Sequence, residues 1–305
     1  MIYDVIVIGN GPAGLAAAIY GKRAGLSTLV LADSPMAGGQ ITSTYEVDNY
    51  PGLPKISGFD LGDKMKEHAD ALGVEYASGR VAEIAEKEGH KVLKTVEGEE
   101  YETKTVIIAT GADHRKLMVP GEEELTGMGV SYCATCDGAF FRNKVTAVVG
   151  GGDVALEDAI YLSRFASKVY LIHRRDEFRG AKILQDQVKA NEKIEIIYDT
   201  VVDEIVGKDA VEKLILSNKK TGDKSELPVN GVFMAVGIVP NVSNIKGLPK
   251  QDEGGYLIAG EDCVTDIPGI YAAGDVRTKQ LRQVITAAAD GANAITSIEK
   301  YLVTL

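Results

Sequence analysis

The sequence predicts an α/β protein built from two Rossmann-like, three-layer dinucleotide-binding domains, the first of them discontinuous. Three observations predict it. The chain has 305 residues, too many for one ordinary core and enough for two domains of about 150 residues each. A strand, glycine turn, helix and strand open the chain, and the same grammar restarts about 140 residues later. A last strand falls near the C-terminus, after the second unit's sheet has closed, so it is expected to rejoin the first. The expected boundaries are 1–114 with 242–305 for the first domain and 115–241 for the second.

Tyr3 to Ile8 is a β-branched run of the kind buried in parallel sheets. Ala13 to Ala24 is alanine-rich and without breakers, and reads as a helix. Ser27 to Ala32 reads as the second strand. In the second unit, Val145 to Val149 is a strand, Val154 to Phe165 a helix and Lys168 to Ile172 the next strand. Thr105 to Gly111 and Gly231 to Gly237 are strands ending on small residues, each closing one sheet. Lys87 to Lys104 and Lys213 to Leu227 read as exposed, polar β-meanders. The last strand is Gly269 to Ala273, followed by a helix from about Gln283 to Leu302.

Composition narrows the function. Hydrophobic residues make up 45% and charged residues 25%, the soluble globular average, which excludes disordered and collagen-like chains. There are 34 glycines, well above the usual share of roughly 7%, so backbone is expected to approach something closely. The net charge of −11 with no basic run argues against nucleic acid as a partner. No apolar run approaches the length of a membrane span, and no secretory signal is legible. A cytoplasmic protein is expected.

Gly9-Asn10-Gly11-Pro12-Ala13-Gly14 fits the G-x-G-x-x-G fingerprint between a strand and a helix. The first glycine makes a tight turn, the second lets pyrophosphate approach the backbone, and the third lets helix and strand pack closely. Phosphates then sit at a helix N-terminus, where free N–H groups favour negative charge. Asp33, 19 residues past Gly14, can accept from a ribose hydroxyl, although Ala32 and Asp33 straddle the expected position. Gly150-Gly151-Gly152-Asp153-Val154-Ala155 fits the G-x-G-x-x-A variant. Where a reader of the ribose 2′-hydroxyl would carry an acid, this chain has His173-Arg174-Arg175, with Arg179 four residues on. Guanidinium forks bind a 2′-phosphate bidentately, so NADPH is preferred over NADH. The bland alternative is a solvated basic patch beside Asp176 and Glu177.

Cys133-Ala134-Thr135-Cys136-Asp137 is a C-x-x-C. Zinc needs four ligands, and here the four histidines are scattered and Cys263 stands alone. That leaves two inert buried thiols or a redox dithiol/disulfide, and the second reading fits an α/β redox protein better. Asp137 can move a proton as dithiol and disulfide interconvert or can be a plain charge at a helix start. Cys263 reads as a structural thiol. Cys136 lies 14 residues before Gly150, so the dithiol belongs to the second module. A disulfide accepts hydride poorly, so a flavin is the sensible relay, which predicts FAD on the first fingerprint.

Together these residues resemble the low-molecular-weight bacterial thioredoxin reductases over essentially the whole chain. The matching segments are Gly9 to Gly14, Gly38-Gly39-Gln40, Asn49-Tyr50-Pro51-Gly52, Cys133 to Asp137, Gly150 to Ala155, His173 to Arg179, Gly274-Asp275 and Arg282-Gln283-Val284. The resemblance implies a homodimer with one FAD per chain. Gly39, Gln40, Asn49, Gly274, Asp275, Arg282, Gln283 and Val284 would join Gly9, Gly11, Pro12, Ala13, Gly14 and Asp33 at FAD. Gly152, Asp153, His173, Arg174, Arg175 and Arg179 would hold NADPH. It further implies that Cys136 faces the flavin, that Cys133 attacks thioredoxin and that Asp137 is the acid. Where the family usually carries Ser or Thr, this chain has Val154, which cannot donate to pyrophosphate. The alternatives are a related flavin disulfide reductase serving NADH, ferredoxin or another dithiol protein, and a non-catalytic redox sensor.

Overall fold

The computed structural model describes residues 1–34, 36–44 and 46–305. The chain divides into two units, Met1–Asp113 with Val239–Leu305, and His114–Ile238. Each carries its own sheet and core, so the α/β class read from the sequence holds.

The first unit is built on a seven-stranded sheet. Ile2–Ile8 lies between Thr28–Ala32 and Glu100–Ile108, parallel to both. Glu75–Ser78 continues the parallel part beyond Thr28–Ala32. Glu100–Ile108 is the branch point. Its first half pairs antiparallel with His90–Thr95, which pairs with Val81–Lys87. Its last three residues pair parallel with Ile270–Ala272, so the late strand does rejoin the first sheet. The strand ends at Ile108 rather than at Gly111, because Gly111 turns the chain with φ +71°.

Successive strand side chains point to opposite faces, and two cores follow from that alternation. Val5, Val7, Val30 and Ile107 pack with the helices Pro12–Arg23 and Val284–Leu302. Ile6, Ile8, Leu29, Leu31, Val106 and Ile108 pack with Val81, Ile84, Leu93 and Leu257. The meander is therefore not simply exposed: Val92, Leu93 and even Lys91 are buried. The two helices approach closely because Gly291 carries no side chain; a Cβ there would lie 2.3 Å from the carbonyl oxygen of Ala13.

In the second unit five parallel strands run in the order Ile194–Ile197, Lys168–Ile172, Val145–Gly150, Gly231–Ala235, Val130–Ser131. Helices Asp153–Leu162 and Lys182–Ala190 accompany them. Thr200–Gly207, Val211–Asn218 and Lys224–Pro228 form a separate antiparallel sheet. Its Ile205, Leu214 and Leu216 are buried in a cluster with Val149 and Ile172, so this meander, too, has an inner face that its charge pattern obscures.

Candidate functional site

In the first unit the turn Gly9–Gly14 is dictated partly by the protein and partly by something else. Gly9 sits at φ +111°, and a Cβ would come within 2.5 Å of the Ala109 carbonyl oxygen. A Cβ on Gly14 would lie 2.0 Å from the Gly9 carbonyl oxygen. Packing alone requires both. Gly11 is different: a Cβ there would meet only the Gly38 carbonyl oxygen, at 3.9 Å. Nothing in the protein demands glycine at this position, so the open backbone is a cradle that a side chain would fill. Pro12 occupies the first helical turn, where its missing N–H costs nothing.

Gly39 and Gly274 abut this turn, and the segments around them are tied to others far away in sequence. Gly39, at φ +59°, places its would-be Cβ 3.4 Å from the Gly11 Cα, and Gln40 Nε2 donates to the Ala112 carbonyl at 2.9 Å. Ala13 abuts Gly274, where a Cβ would lie 2.8 Å away. Arg282 lies over the Tyr256 ring at 4.2 Å, its Nε 3.5 Å from the Asp275 carbonyl. Asn49 Nδ2 donates to Gln283 Oε1 at 2.9 Å, across 234 residues of sequence. Gln283 caps the last helix and Val284 begins it. Asp33 is exposed just past the end of its strand.

Two buried polar atoms here have no hydrogen-bond partner, Thr110 Oγ1 and Asp275 Oδ1. Burial raises the Asp275 pKa, while Lys279 and Arg282 oppose it. Thr110 follows Ala109, which touches Gly9; Asp275 follows Gly274, which touches Ala13. Unsatisfied buried groups are costly unless a ligand answers them. An open glycine cradle at a helix N-terminus flanked by such groups fits a dinucleotide. Sequence alone does not single out Thr110; its place just after the closing strand is the available signal.

Behind Gly274 lies a buried ionic cluster. Asp290 accepts from Arg277 Nε (2.8 Å) and Nη2 (2.6 Å), Lys279 Nζ (2.8 Å) and the Gly274 amide (2.8 Å). Burial alone would raise the Asp290 pKa, but these donors hold it below the ordinary carboxylate value. Cys263 Sγ donates to the Asp290 carbonyl at 3.3 Å, and burial pushes this thiol up to about 12. Burial and the raised pKa disfavour its thiolate, which is compatible with a structural thiol.

In the second unit Cys133 and Cys136 are joined as a disulfide, with Cα atoms 5.3 Å apart. Cys133 caps the short helix Ala134–Asp137. Asp137 is the last residue of this four-residue helix and still lies in its first turn, so its position is compatible with the helix-charge reading as well as with the acid. Burial raises its pKa, opposed by a hydrogen bond from Ser131 Oγ at 2.6 Å. Next to Cys133, the Tyr132 hydroxyl donates to Glu122 Oε1 at 2.9 Å. Glu122 is buried and also accepts the Leu117 and Met118 amides. Neither Ser131 nor Glu122 was evident from sequence.

The second glycine turn repeats the division of labour. A Cβ on Gly150 would meet the Ala235 carbonyl oxygen at 2.4 Å and the Ala155 Cβ at 2.6 Å, whereas at Gly152 it would meet nothing within 4 Å. Asp153 Oδ1 accepts the Ala181 amide at 2.6 Å, and the Arg179 amide donates to the Gly151 carbonyl at 2.8 Å. These bonds fasten the basic loop to the turn. Arg174, Arg175 and Arg179 are exposed and, among the described residues, form no ion pair with a carboxylate. Asp176 is instead paired with Lys220 at 2.8 Å, so it does not neutralise them. His173 does not share their exposure. Its ring is buried against Gly151, where a Cβ would lie 2.1 Å from Cε1, and burial lowers its pKa. Val154 is 61% exposed at the start of its helix.

Among the described residues no group of three or more His, Cys, Asp or Glu could hold a metal, and no helix is long and apolar enough to cross a membrane.

A disulfide in the same unit as one of two glycine turns, each turn following a strand of a sheet with parallel pairing, defines a class of oxidoreductases. Residues 3–291 match the model of the pyridine nucleotide-disulphide oxidoreductase family, and the chain belongs to that family. It is 48% identical over 302 residues to the thioredoxin reductase of Listeria innocua, covering 99% of this chain and 94% of that one. It is 46% identical to the thioredoxin reductase of Bacillus subtilis, covering 99% and 95%. The thioredoxin reductase structure from Streptococcus pyogenes matches 100% of this chain and 99% of its own, with a TM-score of 0.93 at 47% identity.

Proposed function

We propose that the protein is a thioredoxin reductase that uses FAD and NADPH and works as a homodimer in the cytoplasm. One observation carries the reading: the bonded Cys133–Cys136 pair, with Asp137 adjoining, lies in the same unit as the second glycine turn. The near-half identity to thioredoxin reductases supports the choice of protein substrate, and a catalytic disulfide is the kind a cytoplasmic protein carries.

The Gly9–Gly14 turn, Gly39, Gln40, Thr110, Gly274, Asp275 and the helix start at Gln283–Val284 would hold FAD. Bound there, the flavin would supply a two-electron relay between the nicotinamide and the disulfide. Gly152, Asp153 and the exposed arginines 174, 175 and 179 would hold NADPH, the guanidinium groups taking the 2′-phosphate. His173 supports the turn from beneath.

The thiol chemistry belongs to the chain itself. Starting from the reduced pair, the Cys133 thiolate attacks one sulfur of the thioredoxin disulfide. The new S–S bond is a mixed disulfide, and the second thioredoxin sulfur leaves as a thiolate that takes a proton from Asp137. Cys136 then returns a proton to the Asp137 carboxylate, and its thiolate attacks Cys133. This re-forms the internal disulfide and releases the first thioredoxin sulfur, which is protonated from solvent. Burial raises the Asp137 pKa and so favours the protonated form that a proton donor needs.

Two outcomes test the cofactor assignments. Changing both Arg174 and Arg175 to Ala is expected to raise KM for NADPH by about tenfold to a hundredfold, the scale of lost hydrogen bonds to a charged group. KM for NADH should change little; equal effects on both would mean that the arginines do not read the 2′-phosphate. Gly11→Ala has room inside the protein, so its apoprotein Tm should stay within about 2 °C of wild type. Its flavin retention on gel filtration should fall, because the Cβ enters the phosphate approach. Full retention would place the flavin elsewhere.

A further inference from the structure

Ser131 is the last residue of an edge strand, paired with Phe233 and only 5% exposed. Its position is therefore set by the sheet. Its Oγ donates to Asp137 Oδ2 at 2.6 Å and accepts the Cys133 amide at 3.1 Å. One hydroxyl thus joins the backbone of the first cysteine to the carboxyl next to the second. Among the described residues, burial raises the Asp137 pKa and this hydroxyl lowers it. The helix that carries Asp137 has four residues, too few to fix a side chain by itself. Among the described residues no other side chain hydrogen-bonds that carboxyl.

We infer that Ser131 is a positioning residue for the proton step assigned above to Asp137. It holds the carboxyl in one orientation relative to the cysteine pair and ties that orientation to the sheet. The inference rests on the thioredoxin reductase reading, and it makes a separate claim: Ser131 acts through Asp137 and not directly on the sulfurs.

A double-mutant cycle on single turnover separates the two. Holoenzyme is reduced with dithiothreitol, freed of reductant and mixed anaerobically with one equivalent of oxidised thioredoxin. Thioredoxin thiols are then counted over time by alkylation and mass shift. Ser131→Ala is expected to slow transfer by about tenfold, the scale of one hydrogen bond to a charged group. Asp137→Asn is expected to slow it by at least as much. The double variant should match Asp137→Asn within about twofold, because two changes on one pathway do not add. Ser131→Thr, which keeps the hydroxyl, should regain most of the rate, and Tm of each variant reports that it is folded. Wild-type rates in Ser131→Ala or in Asp137→Asn overturn the inference, as does a double variant whose losses multiply. No transfer by the wild type overturns the thioredoxin reading itself and, with it, the proton step Ser131 would serve.

Discussion

Cys136→Ser is expected to abolish thioredoxin reduction while leaving NADPH able to reduce the bound flavin. The disulfide cannot form with one sulfur removed, so the electron pair has no sulfur acceptor inside the protein. Turnover with thioredoxin should drop by at least about 10³-fold, the scale of loss when a nucleophile is deleted. The first half of the reaction needs no cysteine and should persist, seen as bleaching of the flavin on adding NADPH. The pair is already joined in the structure, so the oxidised form needs no rearrangement. A variant that still turned over with thioredoxin would remove Cys136 from the chemistry. One whose flavin no longer bleached would mean that the cysteine also shapes the cofactor site.

The second large effect lies away from the sulfurs. Asp290→Asn removes the carboxylate that, among the described residues, pairs with both Arg277 and Lys279, whose side chains are 9% and 6% exposed. Breaking a buried ion pair from one side leaves uncompensated charge and costs about 3–5 kcal/mol. For a protein of this size that corresponds to a Tm lower by on the order of 10 °C. The same carboxylate accepts the Gly274 amide, so the turn that carries Asp275 should loosen and flavin should be lost before the protein melts. The pH dependence follows from the lowered Asp290 pKa. Its stabilisation is fully present above the unfolded carboxylate value of about 3.9 and is lost as pH falls through the lower folded value. Wild type should therefore gain a Tm step below about pH 4 that Asp290→Asn lacks. An unchanged Tm at neutral pH would mean that the cations find water or another anion.

Much of this was legible in the sequence, for identifiable reasons. A glycine turn between a β-branched run and an alanine-rich run leaves few alternatives, so both fingerprints and their sheets could be read. The rejoining strand Ile270–Ala272 could be anticipated because the second sheet had no place for it. What escaped are contacts whose partners lie far apart or whose signal is local and ambiguous. Asp290 reads as one more acid on a helix until the fold brings it to Gly274 and Arg277. Thr110, just past a strand, and Ser131, at the end of one, look ordinary until the burial of their hydroxyls is known. His173 sits in a basic run and so reads as a ligand, yet its ring is buried beneath the turn. The signal was Gly151, an unconstrained position of the fingerprint that nonetheless carries glycine. The meanders looked exposed because their outward charges mask inward residues such as Leu93 and Leu214.

The central claim is that electrons from NADPH leave through the cysteine pair to thioredoxin, repeatedly. It is tested most directly by following NADPH oxidation by the purified flavin-loaded protein, with catalytic thioredoxin and excess insulin disulfide as final acceptor. The account predicts sustained oxidation over many turnovers, strictly dependent on thioredoxin. Oxidation that stops after one equivalent, or proceeds equally well without thioredoxin, would contradict it.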